Sequence, residues 1–356
     1  MTSSVAFPQL GIGPFDLNRV AFSIGDFNVY WYAIIITFGM ILAILFAMKF
    51  AKRYQLSSDD LLDVVLWCIP TALIGARIYY VLFSIQDFLT DGKLDWGKVF
   101  AFRNGGLAIY GGVIVGFVVA YLVCRYKKID VMAVFDIGAM GFLIGQCIGR
   151  WGNFVNAEAF GTPTTLPWGM SIDGGTPVHP TFLYESLWNL FGFILIYTFA
   201  RTLKKHNGEL FSMYIAWYGF GRFWVEGLRT DSLYLFTDHF VEEHGIYYNP
   251  RISQIVALIS VVLGIILFIL VRKGVFEKMY QRRLTKYREW LAAHPEKAKR
   301  LEKKKNVYVD QFSSSEPNTI ISSEPDSLPQ EEQVLKEKVA EQDNETQIDS
   351  EQKEEE

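Results

Sequence analysis

Residues 29 to 50 read VYWYAIIITFGMILAILFAMKF, and no position from Val29 to Met48 is charged. A hydrocarbon core about 30 Å thick needs about 20 mostly apolar helical residues at ~1.5 Å each. This stretch is long enough to cross a bilayer. By the same measure the predicted spans are 29 to 50, 61 to 84, 106 to 124, 131 to 150, 182 to 200, 209 to 228 and 252 to 271, seven in all, with the fifth and sixth weakened by polar residues. An all-α, polytopic membrane protein is expected. A composition of 51% hydrophobic and 15% aromatic residues against 20% charged excludes a disordered or collagen-like chain. The three cysteines, Cys68, Cys124 and Cys147, lie inside apolar runs with no disulfide or metal-ligand spacing and read as buried thiols.

Charge divides the chain into three parts. Residues 1 to 274 are nearly neutral, at +1; residues 275 to 305 carry +7 and residues 306 to 356 carry −12. The low overall pI therefore belongs to the tail. The first part is expected to be the seven-span domain with outer-face loops. The second is a basic amphipathic juxtamembrane segment laid along the anionic inner leaflet, and the third an acidic disordered tail. The amino terminus, MTSSVAFPQLGIG, lacks the basic and apolar regions of a cleaved signal peptide, so the first span is expected to remain. Lys49, Lys52 and Arg53 follow the first span, Arg125, Lys127 and Lys128 the third, Arg201, Lys204 and Lys205 the fifth, and Arg272 and Lys273 the last. All fall on one side, which the positive-inside rule makes cytoplasmic, with the N-terminus outside and the C-terminus inside. The loop over 151 to 181, with TPTTLPWG and DGGTPVHP, then faces outward as an ordered, turn-rich segment able to gate a site.

Charges inside hydrocarbon cost roughly 2.5 to 3.5 kcal/mol each and so mark function or pairing. Arg77, Arg150 and Arg222 all fall in the outer third of their spans. Each alone has a plain reading as a snorkelling or paired side chain, for instance Arg222 with Glu226 one turn on. Together at headgroup depth they suit an anionic phospholipid, because guanidinium binds phosphate bidentately and stays charged. Glu185, Asp136 and Asp63 read as neutral or as paired with an arginine such as Arg77. Glycines four apart, Gly112 and Gly116, then Gly141, Gly145 and Gly149, read first as helix packing. The doublets Gly105-Gly106 and Gly111-Gly112 have a second reading, as places where a substrate chain lies close to backbone.

The end of the fourth span runs Gly149-Arg150-Trp151-Gly152-Asn153-Phe154-Val155-Asn156-Ala157-Glu158-Ala159-Phe160-Gly161. On a continuing helix, Arg150, Asn153 and Asn156 share one face, gathering a cation and two carboxamides. This run resembles the signature of the bacterial prolipoprotein diacylglyceryl transferases, G-R-x-G-N-F-x-N-x-E-x-x-G, at every fixed position. Tyr30-Trp31-Tyr32, Gly75-Ala76-Arg77, the glycine-flanked stretch Gly105 to Gly112, His179 to Glu185 and Gly221 to Glu226 add to the resemblance, which extends over residues 20 to 271.

The resemblance implies an enzyme of the bacterial cytoplasmic membrane, its site toward the outer leaflet. It would move the diacylglyceryl group of phosphatidylglycerol onto the lipobox cysteine of a prolipoprotein signal peptide, leaving a thioether and glycerol phosphate. It implies catalytic roles for Arg150, Arg222, Tyr32, Tyr110, Asn153 and Glu158, and substrate contacts from Arg150, Asn156, Gly161, Gly105, Gly106, Arg77 and Glu226. No cofactor, metal or nucleic acid is implied. The chemistry needs a deprotonated thiol and a stabilised phosphate leaving group, which fixed guanidinium groups supply. Many family members place a histidine where this chain has Tyr110. A phenol near pKa ~10 is a poor base unless an arginine lowers it, so orientation of the lipid is the role expected of Tyr110. His179 is open between a turn role and proton transfer, and Tyr184 and Trp188 read as packing or lipid-facing aromatics. The rivals are a lipid transporter, which the odd span count and missing inverted repeat disfavour, and a receptor or scaffold, which would not need Arg150.

Overall fold

The computed structural model describes residues 2–25, 27–54, 56–90, 92–102, 105–236 and 249–296. The acidic tail and the last part of the basic segment lie outside them. Chain contacts define two units, Met1–Lys286 and Tyr287–Glu356; in the described part of the second, Tyr287 stacks on Trp290.

Each predicted span is a helix: α1 (Trp31–Ala51), α2 (Ser58–Phe83), α4 (Ile109–Lys127), α5 (Val131–Val155), α6 (Thr181–Thr202), α7 (Glu209–Leu228) and α8 (Ile252–Arg272). A short α3 (Trp96–Phe100) and α9 (Val275–Ala293) complete the α-helices among the described residues. Six of these are long and apolar enough to cross a membrane, so the chain is a polytopic membrane protein. The exception among the predicted spans is α7, diluted by Glu209, Arg222 and Glu226.

Local signals set the helix starts. Ser57 accepts from Asp60 N at 3.0 Å before α2, and Asp130 from Met132 N at 3.0 Å before α5. The start of α7 is capped from outside. The carboxylate of Asp136, on α5, accepts Gly208 N at 3.0 Å and Phe211 N at 2.9 Å, with Lys204 Nζ at 3.6 Å. Glu209 meets Arg272 at 3.0 Å. Of the three intramembrane carboxylates expected to be neutral or paired with an arginine, Glu185 does take an arginine, Arg150, whereas Asp136 takes Lys204 and backbone N–H groups, and Asp63 takes Lys127 at 2.5 Å.

Helix α5 is the hub, packing on α1, α6, α7 and α4, with Ile137, Met140 and Leu143 fully buried. Of the glycines read as packing residues, a Cβ on Gly112 would fall 3.2 Å from Ala72 O, whereas Gly116, Gly141 and Gly149 would meet only ordinary contacts at 3.7 to 3.9 Å and Gly145 none. The close approach is at Gly111, where a Cβ would fall 2.4 Å from Gly75 O, so α2 and α4 touch backbone to backbone there. An unforeseen β layer covers the start of α6. Strand β1 (Thr2–Phe7) pairs antiparallel with β2 (Ile12–Asn18) and, across a long interval, with Ser171–Ile172. Val5, Met170 and Phe182 form its buried cluster. A hairpin of Val20–Ile24 and Phe27–Tyr30 leads into α1.

Candidate functional site

Arg77, Arg150 and Arg222 stand six, five and six residues before the ends of α2, α5 and α7. The fourth span, expected to close at Arg150, runs as α5 five residues further, so the three guanidiniums stand at similar distances from their helix ends, each with different partners. Arg150 Nη2 forms a close ion pair with Glu185 Oε2, from the first turns of α6. Arg222 pairs with Glu226 at 2.5 Å, one turn along α7, as its spacing suggested.

Arg77 departs from the expected role as a lipid contact. It is 5% exposed, and all five of its N–H donors are directed to main-chain oxygens. Nε donates to Val99 O at 2.9 Å; Nη1 to Gly105 O and Gly106 O at 2.6 and 2.8 Å; Nη2 to Lys98 O and Ala101 O at 2.7 and 3.4 Å. Its rigid fork is filled, with no donor directed at a headgroup. Gly105 and Gly106 change role with it. Their φ angles of 83° and 75° turn both carbonyls onto Arg77, and a Cβ on Gly106 would meet Arg77 Nη1 at 2.6 Å. Tyr110 opens α4 with its side chain exposed, beside the α2 contact made by Gly111.

The signature run has its own arrangement. Helix α5 continues to Val155, so Asn153 and Asn156 do come together, but they converge on Glu158 rather than Arg150. Asn153 Nδ2 and Asn156 Nδ2 donate to Glu158 Oε1 at 3.0 and 3.1 Å. Ala157 and Ala159 on either side have φ of 49° and 57°, a tight reversal that presents the exposed Glu158. Gly152 makes room for Tyr32: a Cβ there would lie 2.6 Å from the Tyr32 ring. Gly161 is a seam rather than an open contact. It donates to His179 O at 2.9 Å and bridges Arg229, while Thr162 N donates to Leu228 O at 2.7 Å. The ordered loop thereby fixes the end of α7. His179 has a packing partner, Nδ1 lying 3.1 Å from Tyr184 OH, which also accepts from Trp168 Nε1 at 2.8 Å. Trp188 stacks on Trp217 with ring centres 4.1 Å apart.

Three residues that sequence reasoning passed over complete the charge network. Arg229, just beyond α7, grips Asp231 through Nε and Nη2 at 2.8 and 2.6 Å, and its Nη1 lies 3.9 Å from Glu185 Oε1. The Asp231 bonds raise the Arg229 pKa, and Arg229 holds Asp231 below the ordinary carboxylate range, so both stay charged near neutrality. Arg251, before α8, donates to Glu226 O. Arg229 follows Arg222 by seven residues, a same-face interval that would have signalled it had the span been extended by one position. The resulting arrangement is a row of guanidinium groups interleaved with carboxylates, able to hold a phosphate and stabilise charge developing on it.

A family model described as prolipoprotein diacylglyceryl transferase matches residues 19–270. The chain is 43% identical over 261 residues to the phosphatidylglycerol--prolipoprotein diacylglyceryl transferase of Finegoldia magna, covering 73% of this chain and 98% of that one. It is 41% identical over 278 residues to such an enzyme, numbered 1, of Clostridium perfringens, covering 73% and 99%. A protein of the same name in Enterococcus faecalis is 42% identical over 282 residues, covering 75% and 95%.

Proposed function

The chain belongs to the prolipoprotein diacylglyceryl transferase family, and on that basis we propose how its own residues carry the reaction. It transfers the diacylglyceryl group of phosphatidylglycerol to prolipoproteins, the first step of lipoprotein maturation. The lipobox cysteine sulfur attacks the glyceryl carbon; a carbon–sulfur bond forms, the carbon–oxygen bond to phosphate breaks, glycerol phosphate leaves with the electron pair, and the thiol proton ends on the departing phosphate or in solvent. Arg150 receives the lipid phosphate, supported by its place in the last part of α5, with Glu185 against it, Arg229 3.9 Å from the other oxygen of Glu185, and Asn153, Asn156 and Glu158 following in the chain. That juxtaposition is the observation carrying the reading.

Arg222, oriented by Glu226, stabilises the same developing charge. Tyr32, packed on Gly152, borders the lipid at the head of α1, and Tyr110 orients it without acting as base. The protein spans the cytoplasmic membrane seven times, α7 included because its charged residues are paired within the bundle. The site faces the outer leaflet, with the N-terminus outside. Supporting that orientation, the basic clusters fall at the end of α1, around the α4–α5 and α6–α7 turns, and at the end of α8. Residues 1 to 274 form the transferase domain, 275 to 305 a basic amphipathic juxtamembrane segment that includes α9, and 306 to 356 an acidic tail. Purified protein in micelles is expected to move labelled diacylglycerol from phosphatidylglycerol to a lipobox peptide. Tyr110→Phe should keep appreciable turnover, whereas complete inactivity with lipid binding intact would make the phenol the base. Lipid flux across vesicles with no thioether product would favour a transporter.

A further inference from the structure

The carboxylate of Glu185 is mostly buried, with side-chain exposure of 9%, and its two oxygens face different arginines. Oε2 is in close contact with Arg150, whereas Oε1 stands 3.9 Å from Arg229, at the outer limit of an ion pair. Arg229 is held back because Asp231 occupies two of its donors. Glu185 therefore has one full partner and a second, half-used one beside it. We infer that Glu185 is a place-holding anion, a positioning residue that neutralises Arg150 while the site is empty and shifts to Arg229 when a phosphate ester takes its place.

Burying an unmatched guanidinium is costly, so a site that must bind and then release a phosphate benefits from a resident carboxylate that exchanges with it. The exchange needs no net movement of charge out of the protein. Asp231 sets its balance: by occupying Arg229, it biases Glu185 toward Arg150 and against the incoming phosphate. The inference rests on the transferase reading only for the identity of that phosphate, which is either the lipid headgroup or the released glycerol phosphate.

The test measures glycerol 1-phosphate affinity by calorimetry on the full-length protein in micelles, beside transfer kinetics with phosphatidylglycerol. Three variants have signed expectations. Glu185→Gln removes the competitor, and Asp231→Asn frees Arg229 to draw it away; both should bind glycerol 1-phosphate roughly three- to tenfold more tightly. Each should lower KM for phosphatidylglycerol and lower kcat, because the product is retained too. Arg229→Gln removes the alternative partner and should weaken binding and raise KM. Asp231 is 53% exposed in its side chain, so its asparagine variant keeps the test available if the buried variants fail to fold. A merely structural network would shift all three in one direction or move only thermal stability. Affinities that are unchanged, or that fall in Asp231→Asn as in Arg229→Gln, overturn the inference. The signed pattern without any transfer by the wild type would instead overturn the transferase reading and leave the anion exchange standing.

Discussion

Three arginines at one depth have three different environments, and their substitution should separate accordingly. Arg77 is a cation with carbonyls around it: the Lys98 and Val99 oxygens belong to the C-terminal end of α3, and Phe88 and Phe102 lie 5.2 and 5.7 Å from its guanidinium carbon. Lysine has the charge but only three donors on a point ammonium, so Arg77→Lys strands at least two buried carbonyls. That should cost about 1 to 3 kcal/mol and appear as a lower melting temperature in micelles, with kcat of the surviving folded protein nearly normal. Arg150 and Arg222 retain 22% and 21% side-chain exposure and pair with carboxylates, leaving donors for a ligand. Arg150→Ala and Arg222→Ala should lower kcat by roughly 10²-fold or more, the scale for removing a group that meets transition-state charge, with folded yield by size exclusion little changed. A melting loss in these two with near-normal turnover would reverse the assignment.

At the level of elements, glycine spacing is informative only when the facing helix is known. Gly111 and Gly116 lie on the same helix, yet a Cβ on Gly111 would sit 2.3 Å from Tyr79 Cβ, whereas one on Gly116 meets only Ala72 Cβ at an ordinary 3.7 Å. Gly111→Ala should therefore force α2 and α4 apart and destabilise by about 1 to 3 kcal/mol, while Gly116→Ala is neutral, as read by unfolding in mild denaturing detergent. The membrane helices were legible in sequence for a related reason: span length is dictated by the bilayer, so α8 begins at its predicted 252 and extends one residue further than the predicted 271. The strands were not. Strand β1 is stabilised by Val5 pairing with Ile172, a contact no local pattern announces. The site was half legible. Depth and residue type are one-dimensional properties and single out Arg150 and Arg222 as candidates, but whether an arginine faces carbonyls or a carboxylate depends on what folds over it. Arg77 was misread for that reason, and Arg229 was passed over because it stands just past a helix end.

For the whole molecule, the seven crossings proposed above and the distribution of charge make one joint claim, that the N-terminus and the arginine row share a side and the C-terminus lies opposite. Cysteines introduced at Ser3 and Lys278, in a background lacking Cys68, Cys124 and Cys147, should react with an impermeant maleimide in intact cells at position 3 alone, and at 278 only after permeabilisation. Labelling of both in intact cells would require an even number of crossings and withdraw α7 as a span. The same division bears on the tail. The family match ends at residue 270, and the guanidinium network lies before it, so residues 297 to 356 are expected to be dispensable for the proposed chemistry. Truncation after Glu296 retains α9 with its exposed Lys278, Arg282, Lys286 and Arg288. In micelles kcat/KM should then stay within about twofold, since acidic groups separated from the site by a bilayer of about 30 Å are screened beyond a Debye length of ~8 Å. A larger change on truncation, reversed at high salt, would mean that the acidic segment reaches the catalytic face and that the assigned orientation is wrong.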